Sequence, residues 1–171
     1  MATTFLLRTW TRFFATPDEV WKLKTDPAAL AAEFQPYMGF RLDPKALVSA
    51  FNGGAPAKIA ARLRPLHLPY GIGWPIELSA ADPPVRFVDS SVNSVFSRFQ
   101  HEHLFEVTPD GCRYIDAVTF TPRYLAKASA ILTRRMFVHR HRVAARALKA
   151  DPQVTGVSVL RVLVEEEPDG G

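Results

Sequence analysis

Apolar and polar residues alternate along residues 3–14. Phe5, Leu7, Thr9, Thr11 and Phe13 share one parity and carry no charge, while Arg8 and Arg12 lie on the other. A period of two marks a strand with one buried face. Thr16-Pro17-Asp18-Glu19 follows. Thr16 is a good N-cap, Pro17 suits the first helical position and Glu19 completes a capping box, so a helix is expected to about Lys24. Asp26-Pro27 opens a second short helix through about Phe34. Residues 35–55 stay open between two readings. Asp43-Pro44 suits the start of a helix that Gly53-Gly54 would close, yet Ala46–Phe51 also suits a strand.

From residue 57 onward the pattern is that of strands. Ala57–His67, Trp74–Ala81, Val85–Val92, Val95–Thr108 and Cys112–Pro122 are separated by turns such as Asp82-Pro83-Pro84 and Pro109-Asp110-Gly111. Such spacing predicts an antiparallel meander. A long helix is expected over 127–149, stopped by Asp151-Pro152, and residues 154–165 give one more strand. One antiparallel sheet with its helices on one face is an α+β domain. It spans residues 1–152, and residues 153–171 add the last strand and an acidic tail.

Parity also sorts the polar groups. In 96–107 the even positions include Arg98, Gln100, Glu102 and Glu106. The odd positions are Ser97, Phe99, His101, His103, Phe105 and Val107, which places His101 and His103 inward. In 112–120 Asp116 shares the apolar face with Cys112, Tyr114, Val118 and Phe120, and Trp74, Ile76 and Leu78 share one side away from Glu77. On the long helix Leu132, Met136, Phe137, Val143, Ala144 and Ala147 form an apolar arc with Arg140 near its middle. A guanidinium on that face needs a carboxylate or an anionic ligand. Asp116 is the first candidate partner and Asp89 the second. Arg135, Arg142, Arg146 and Lys149 lie on another side.

Composition narrows the class. The chain has 171 residues, 47% hydrophobic and 22% charged, which is one ordinary folded domain rather than a disordered segment. No apolar run reaches the length of a membrane span, so no integral membrane association is expected. Nor does the start resemble a secretion signal. The single Cys112 cannot form an intrachain disulfide, which fits a reducing cytoplasm. A net charge of +4 is mild. The basic residues of the long helix lack interleaved aromatics for stacking on bases, so nucleic acid is not an expected partner.

Two imidazoles on one strand face, with Asp116, make a two-histidine, one-carboxylate set that suits a metal. The same residues also make a hydrogen-bonded polar layer inside a pocket, and that reading is preferred, with no metal and no cofactor assigned. His139 and His141 add nothing to a metal set, because two helical positions apart they point roughly 160° from one another. A histidine oriented by Asp116 is also a plausible general base.

These residues bring a family into view. Phe13-Phe14-Ala15-Thr16-Pro17-Asp18-Glu19-Val20-Trp21, followed by Thr25-Asp26-Pro27, resembles the opening of the START-like superfamily, which includes polyketide cyclases, START domains and Bet v 1-like allergens. Pro83-Pro84-x-Arg86-Phe87-Val88-Asp89, Phe99-x-His101-x-His103-x-Phe105, Asp116-x-Val118-x-Phe120-x-Pro122 and Phe137-x-x-Arg140 resemble its bacterial ligand-binding branch. The resemblance covers roughly residues 3–150. It implies a helix-grip fold: a curved seven-stranded antiparallel sheet around a long C-terminal helix, here with an extra C-terminal strand. It departs from the branch at Val92–Val95, where Gly-Pro is usual, and at Phe99, where Trp is usual.

The function expected first is binding of a hydrophobic or amphipathic small molecule in a cavity between sheet and long helix. The candidate ligand-binding residues are Trp74, Phe99, His101, His103, Tyr114, Asp116, Phe120, Met136, Phe137 and Arg140. An alternative is a cyclase or aromatase-like enzyme, for which His101, His103 and Asp116 are the catalytic candidates. A third is an interaction module without a cavity whose last strand dimerises. Monomer and homodimer are both compatible with the sequence.

Overall fold

A computed structural model describes residues 2–53, 55–66, 68–148, 150 and 157–163. Twelve elements follow in order: β1 (Thr4–Phe13), α1 (Pro17–Thr25), α2 (Pro27–Glu33), β2 (Met38–Leu42), α3 (Pro44–Gly53), β3 (Ala57–Pro65), β4 (Ile72–Asp82), β5 (Arg86–Ser91), β6 (Phe96–Thr108), β7 (Gly111–Pro122), α4 (Ala126–Ala147) and β8 (Val157–Leu163). The strands form one antiparallel sheet in the order β2-β3-β4-β5-β6-β7-β1-β8. Seven strands curl as a half-barrel around α4, which is the expected helix-grip architecture, and β8 is the added strand.

Local chemistry explains the first turn of the chain. The Thr16 side chain accepts from the Glu19 backbone N–H and the Glu19 carboxylate accepts from the Thr16 N–H, with Pro17 at the first helical position. Asp26 caps α2 in the same manner through the Ala29 N–H at 2.7 Å. The ambiguous segment resolves into both kinds of element, β2 and then α3. In α3 Leu47 and Ala50 are buried, three residues apart on one helical face.

Three expectations from parity are corrected. Ser97 faces solvent and Phe96 is buried, because the β6–β7 register shifts between Phe96 and Arg98. A bulge of this kind reverses parity on one side of it. Val107, next to the Pro109–Gly111 turn, is 80% exposed. The helix arc is also displaced: Leu132 and Ala147 are exposed, and the buried stripe runs through Thr133, Phe137, Arg140, His141 and Ala144. Arg135, Arg142 and Arg146 are on the solvated side as expected.

β8 pairs antiparallel with β1 of the same chain, Thr4 opposite Leu163 and Trp10 opposite Val157. The other expectations for the chain end, namely the Asp151-Pro152 stop, Lys149, residues 154–156 and the acidic tail after residue 163, lie outside the described residues.

The core has two apolar clusters. One gathers Phe13, Val20, Leu78, Phe87, Phe105 and Tyr114 with Trp21 and Phe51 against it; the other gathers Phe5, Leu7, Phe96, Phe99, Val118, Phe120 and Phe137. Each central element crosses from one cluster to the other, and each changes character at the crossing. β6 places His101 and His103 between Phe99 and Phe105; β7 places Asp116 between Tyr114 and Val118; α4 places Arg140 and His141 between Phe137 and Ala144. The result is a buried polar belt between two apolar masses.

Candidate functional site

Strand register assembles the belt. His103 lies opposite Asp116 across β6 and β7, and Asp89 lies opposite His101 across β5 and β6. Asp116 is fully buried at the centre. His101 Nε2 lies 2.9 Å from Asp116 Oδ1, His141 Nε2 lies 3.1 Å from Oδ2, and the Tyr114 hydroxyl donates to Oδ1. Burial pushes the Asp116 carboxyl up, but His101 and the hydrogen bonds from His101, His103 and His141 outweigh it and hold the group well below the usual carboxylate range. An ionised Asp116 therefore takes the Nε2–H of both His101 and His141. His141 completes its pairing through Nδ1, 2.8 Å from the Thr11 hydroxyl.

His103 stands one step further forward. Its Nδ1 is 2.6 Å from Tyr114 Oη and 3.2 Å from Asp116 Oδ1, and its Nε2 is 2.9 Å from Asp89 Oδ2. Its ring stacks on Phe87 with centroids 3.7 Å apart. His101 Nδ1 faces the same Asp89 oxygen at 3.7 Å. Burial and the neighbouring His103 depress the His101 pKa to about 4, against the opposing pull of Asp116. The Asp89 carboxyl, raised by burial, is lowered on balance by its hydrogen bond to His103 and by the charges around it.

Arg140 is not paired as expected from the sequence. Its Nε donates to Glu33 Oε2 of α2 at 2.9 Å, and Lys24 of α1 donates to Glu33 Oε1 at 2.5 Å. All three side chains are at most 6% exposed. Asp116 and Asp89 are engaged by the histidines instead. Burial opposes the Arg140 charge, yet Glu33 and Asp116 raise its pKa overall, so it stays cationic.

A cavity of about 80 Å³ opens in front of this group, between the sheet, α3 and α4. Trp74, Phe99, His101, His103, Met136, Phe137 and Arg140 line it, together with Asp89, Lys24, Phe34, Leu47, Phe51, Leu63 and Phe87. Tyr114, Asp116 and Phe120 do not line it. They are fully buried behind, where Tyr114 and Asp116 hold the histidine rings and Phe120 stacks on Phe5 at 5.4 Å. Sequence reasoning missed Glu33, Lys24 and His141. The signal for His141 was present, since Phe137, Arg140, His141 and Ala144 repeat at helical spacing. Val20 and Lys24, also four apart, are the two buried residues of α1.

A family model described as "Domain of unknown function (DUF8410)" matches residues 11–148. No curated protein matches the chain. Solved structures share its fold. A Rhodobacter sphaeroides protein is 19% identical, covers 87% of this chain and 93% of its own, and superposes with a TM-score of 0.65. The ZhuI aromatase/cyclase from Streptomyces sp. R1128 is 11% identical over 85% of this chain and 94% of its own, TM-score 0.64. The allergen Ara h 8.0201 is 11% identical over 85% of this chain and 99% of its own, TM-score 0.59. The shared fold is the helix-grip fold.

Proposed function

The chain belongs to the DUF8410 family, and we propose that it binds a small molecule with an apolar body and a polar head in the cavity between sheet and α4. One observation carries this reading. The cavity has mostly apolar walls, and His101, His103, Asp89, Arg140 and Lys24 are the polar residues among them. A mostly apolar site with a few convergent polar groups suits an amphipathic ligand. The head would meet the imidazoles and the body would lie against Trp74, Phe99 and Phe137. Ligand pockets for drug-sized molecules typically hold about 300–1,000 Å³, well above the 80 Å³ present. The ligand is therefore small, or α3 yields to admit it, since Leu47 and Phe51 of α3 form part of the wall.

The test is native mass spectrometry of the purified full chain, followed by solvent extraction of whatever it releases. Retention of a small amphipathic molecule supports the reading. A clean apo mass, with no shift in melting temperature across a panel of small aromatic and aliphatic acids, amines and alcohols, removes it.

A second reading draws on the oriented imidazole. His101 faces the cavity with Asp116 behind it, the arrangement of a general base, and one structural neighbour is an aromatase/cyclase. In a cyclase-like reaction His101 or His103 would take a proton beside a carbonyl, and Arg140 would stabilise the developing enolate. His101→Ala and His103→Ala variants that fold yet keep full turnover on an identified substrate would exclude it.

A further inference from the structure

The hydrogen bonds behind the two histidines fix which nitrogen each ring turns to the front. In a neutral imidazole one nitrogen carries the proton and the other the lone pair. His101 gives its Nε2–H to the Asp116 carboxylate at 2.9 Å, so its Nδ1 carries the lone pair. Tyr114 gives its hydroxyl proton to Asp116, so its oxygen accepts the Nδ1–H of His103 at 2.6 Å. His103 Nε2 and Asp89 Oδ2, 2.9 Å apart, share a hydrogen-bond proton, the one a metal ion would replace. Both front nitrogens, His101 Nδ1 and His103 Nε2, point at that one carboxylate oxygen, from 3.7 Å and 2.9 Å.

A carboxylate oxygen and two imidazole nitrogens thus converge on one point, where a cation can take the place of the shared proton. The wider charge count leads the same way. Glu33 and Asp116 are buried carboxylates and Asp89 is half-buried, and the permanent cations Lys24 and Arg140 both pair with Glu33. Among the described residues, the ionic partners that touch Asp89 are the two histidines.

We propose that Asp89, His101 and His103 bind a single divalent transition-metal ion through the Asp89 carboxylate, His101 Nδ1 and His103 Nε2. One ligand atom from each residue lies within 4.8 Å of the others. Ligands about 2.0–2.2 Å from a shared zinc sit roughly 3–4 Å apart, so small side-chain shifts suffice. Two imidazoles and one carboxylate suit zinc, iron, cobalt or nickel rather than calcium or magnesium. The outer partners are those such sites use: each ligating histidine donates its other N–H, His101 to a carboxylate and His103 to a hydroxyl oxygen, which fixes ring and tautomer. Phe87 holds the His103 ring from one face. With three protein ligands the ion keeps an open position, and all three ligands line the cavity. Asp116, the carboxylate that strand parity puts with the two histidines, lies behind them, and Asp89 lies in front.

Metal binding does not depend on the organic-ligand reading and is tested with the metal alone. Untagged full chain is stripped with a chelator and titrated with Co²⁺, followed by the visible absorption of the bound ion and by equilibrium dialysis. One ion per chain is expected, displaced by Zn²⁺. Asp89→Asn and His101→Ala should abolish the high-affinity uptake, and Tyr114→Phe, which removes an outer partner, should weaken it by about 10–100-fold. His139→Ala, on the helix away from the site, should bind as the parent does. Where His101→Ala fails to fold by circular dichroism, Asp89→Asn decides, since Asp89 is the most exposed of the three. No uptake by the parent, or uptake that Asp89→Asn leaves unchanged, overturns the proposal.

Discussion

Arg140 and Lys24 hold the two oxygens of one carboxylate: Arg140 Nε meets Glu33 Oε2 at 2.9 Å, and Lys24 Nζ meets Glu33 Oε1 at 2.5 Å. Three helices, α1, α2 and α4, are thereby pinned at one buried point. Breaking a buried ion pair by removing one partner leaves an uncompensated charge, at a cost of about 3–5 kcal/mol. Glu33→Ala strands two cations, so a loss at the upper end of that range is expected in urea unfolding. A loss no greater than that of a surface glutamate would mean the triad contributes little.

The same triad sets an acid limit. Burial pushes the Glu33 carboxyl up, but Lys24 and Arg140 overcome that and leave it below its ordinary value. A carboxyl depressed in the folded state contributes stability that is present above its unfolded pKa and lost as pH falls through the folded one. Melting temperature should therefore fall as pH is lowered below the ordinary glutamate value. In Glu33→Gln the fall should be shallower, though not absent, because Asp89 and Asp116 are depressed too. Parallel pH profiles for the two proteins would contradict this.

Phe99 belongs to the second apolar cluster and lines the cavity, packed edge-on against Trp74 with centroids 5.1 Å apart. Phe99→Ala should cost about 3–5 kcal/mol and enlarge the cavity. A naphthalene-type fluorescent probe should then bind the variant more tightly than the parent. Equal binding would place the probe elsewhere on the protein.

Cys112 should be chemically silent in the native state. Burial, with Glu106 adding to it, pushes its thiol up to about 11, and the thiolate is the reactive form. A disulfide reagent at pH 8 should label it slowly until denaturant is added. Stoichiometric labelling of the folded protein within seconds would show a different environment.

Much of this was legible from local patterns. The inward set of β7, the Thr16 capping box and the His101/His103 pair follow from two-residue alternation and cap chemistry, which involve only neighbours in sequence. The Ser97 reversal did not, because a bulge is fixed by what the partner strand does at Phe96 and Arg98. The partner of Arg140 was equally out of reach. Asp116 and Asp89 look closer in a flat sheet diagram, but Glu33 comes from a helix whose position depends on how it crosses α4. The exchange of Asp116 for Asp89 beside the histidines has the same origin: parity says that a side chain points inward, not how deep it sits.

Removal of residues 151–171 would uncover the outer edge of β1, whose ladder runs from Thr4 opposite Leu163 to Trp10 opposite Val157. An open edge invites pairing with another chain. Lower stability and a larger species in size-exclusion chromatography are expected; an unchanged elution volume and melting curve would mean β8 protects nothing.

The placement of β1 also sets the order in which the protein comes together. Phe5 is hydrogen-bonded into the sheet between Phe120 on one side and Val162 on the other. The first strand of this sheet in chain order therefore finds neither neighbour until β7 and β8 have been synthesised. Its alternating apolar face must wait, exposed, while the β3–β7 meander forms by short-range closure. Long-range pairing of this kind is slow, so the rate-limiting step of folding should be the capture of β1, and the chain is most prone to aggregate just before it.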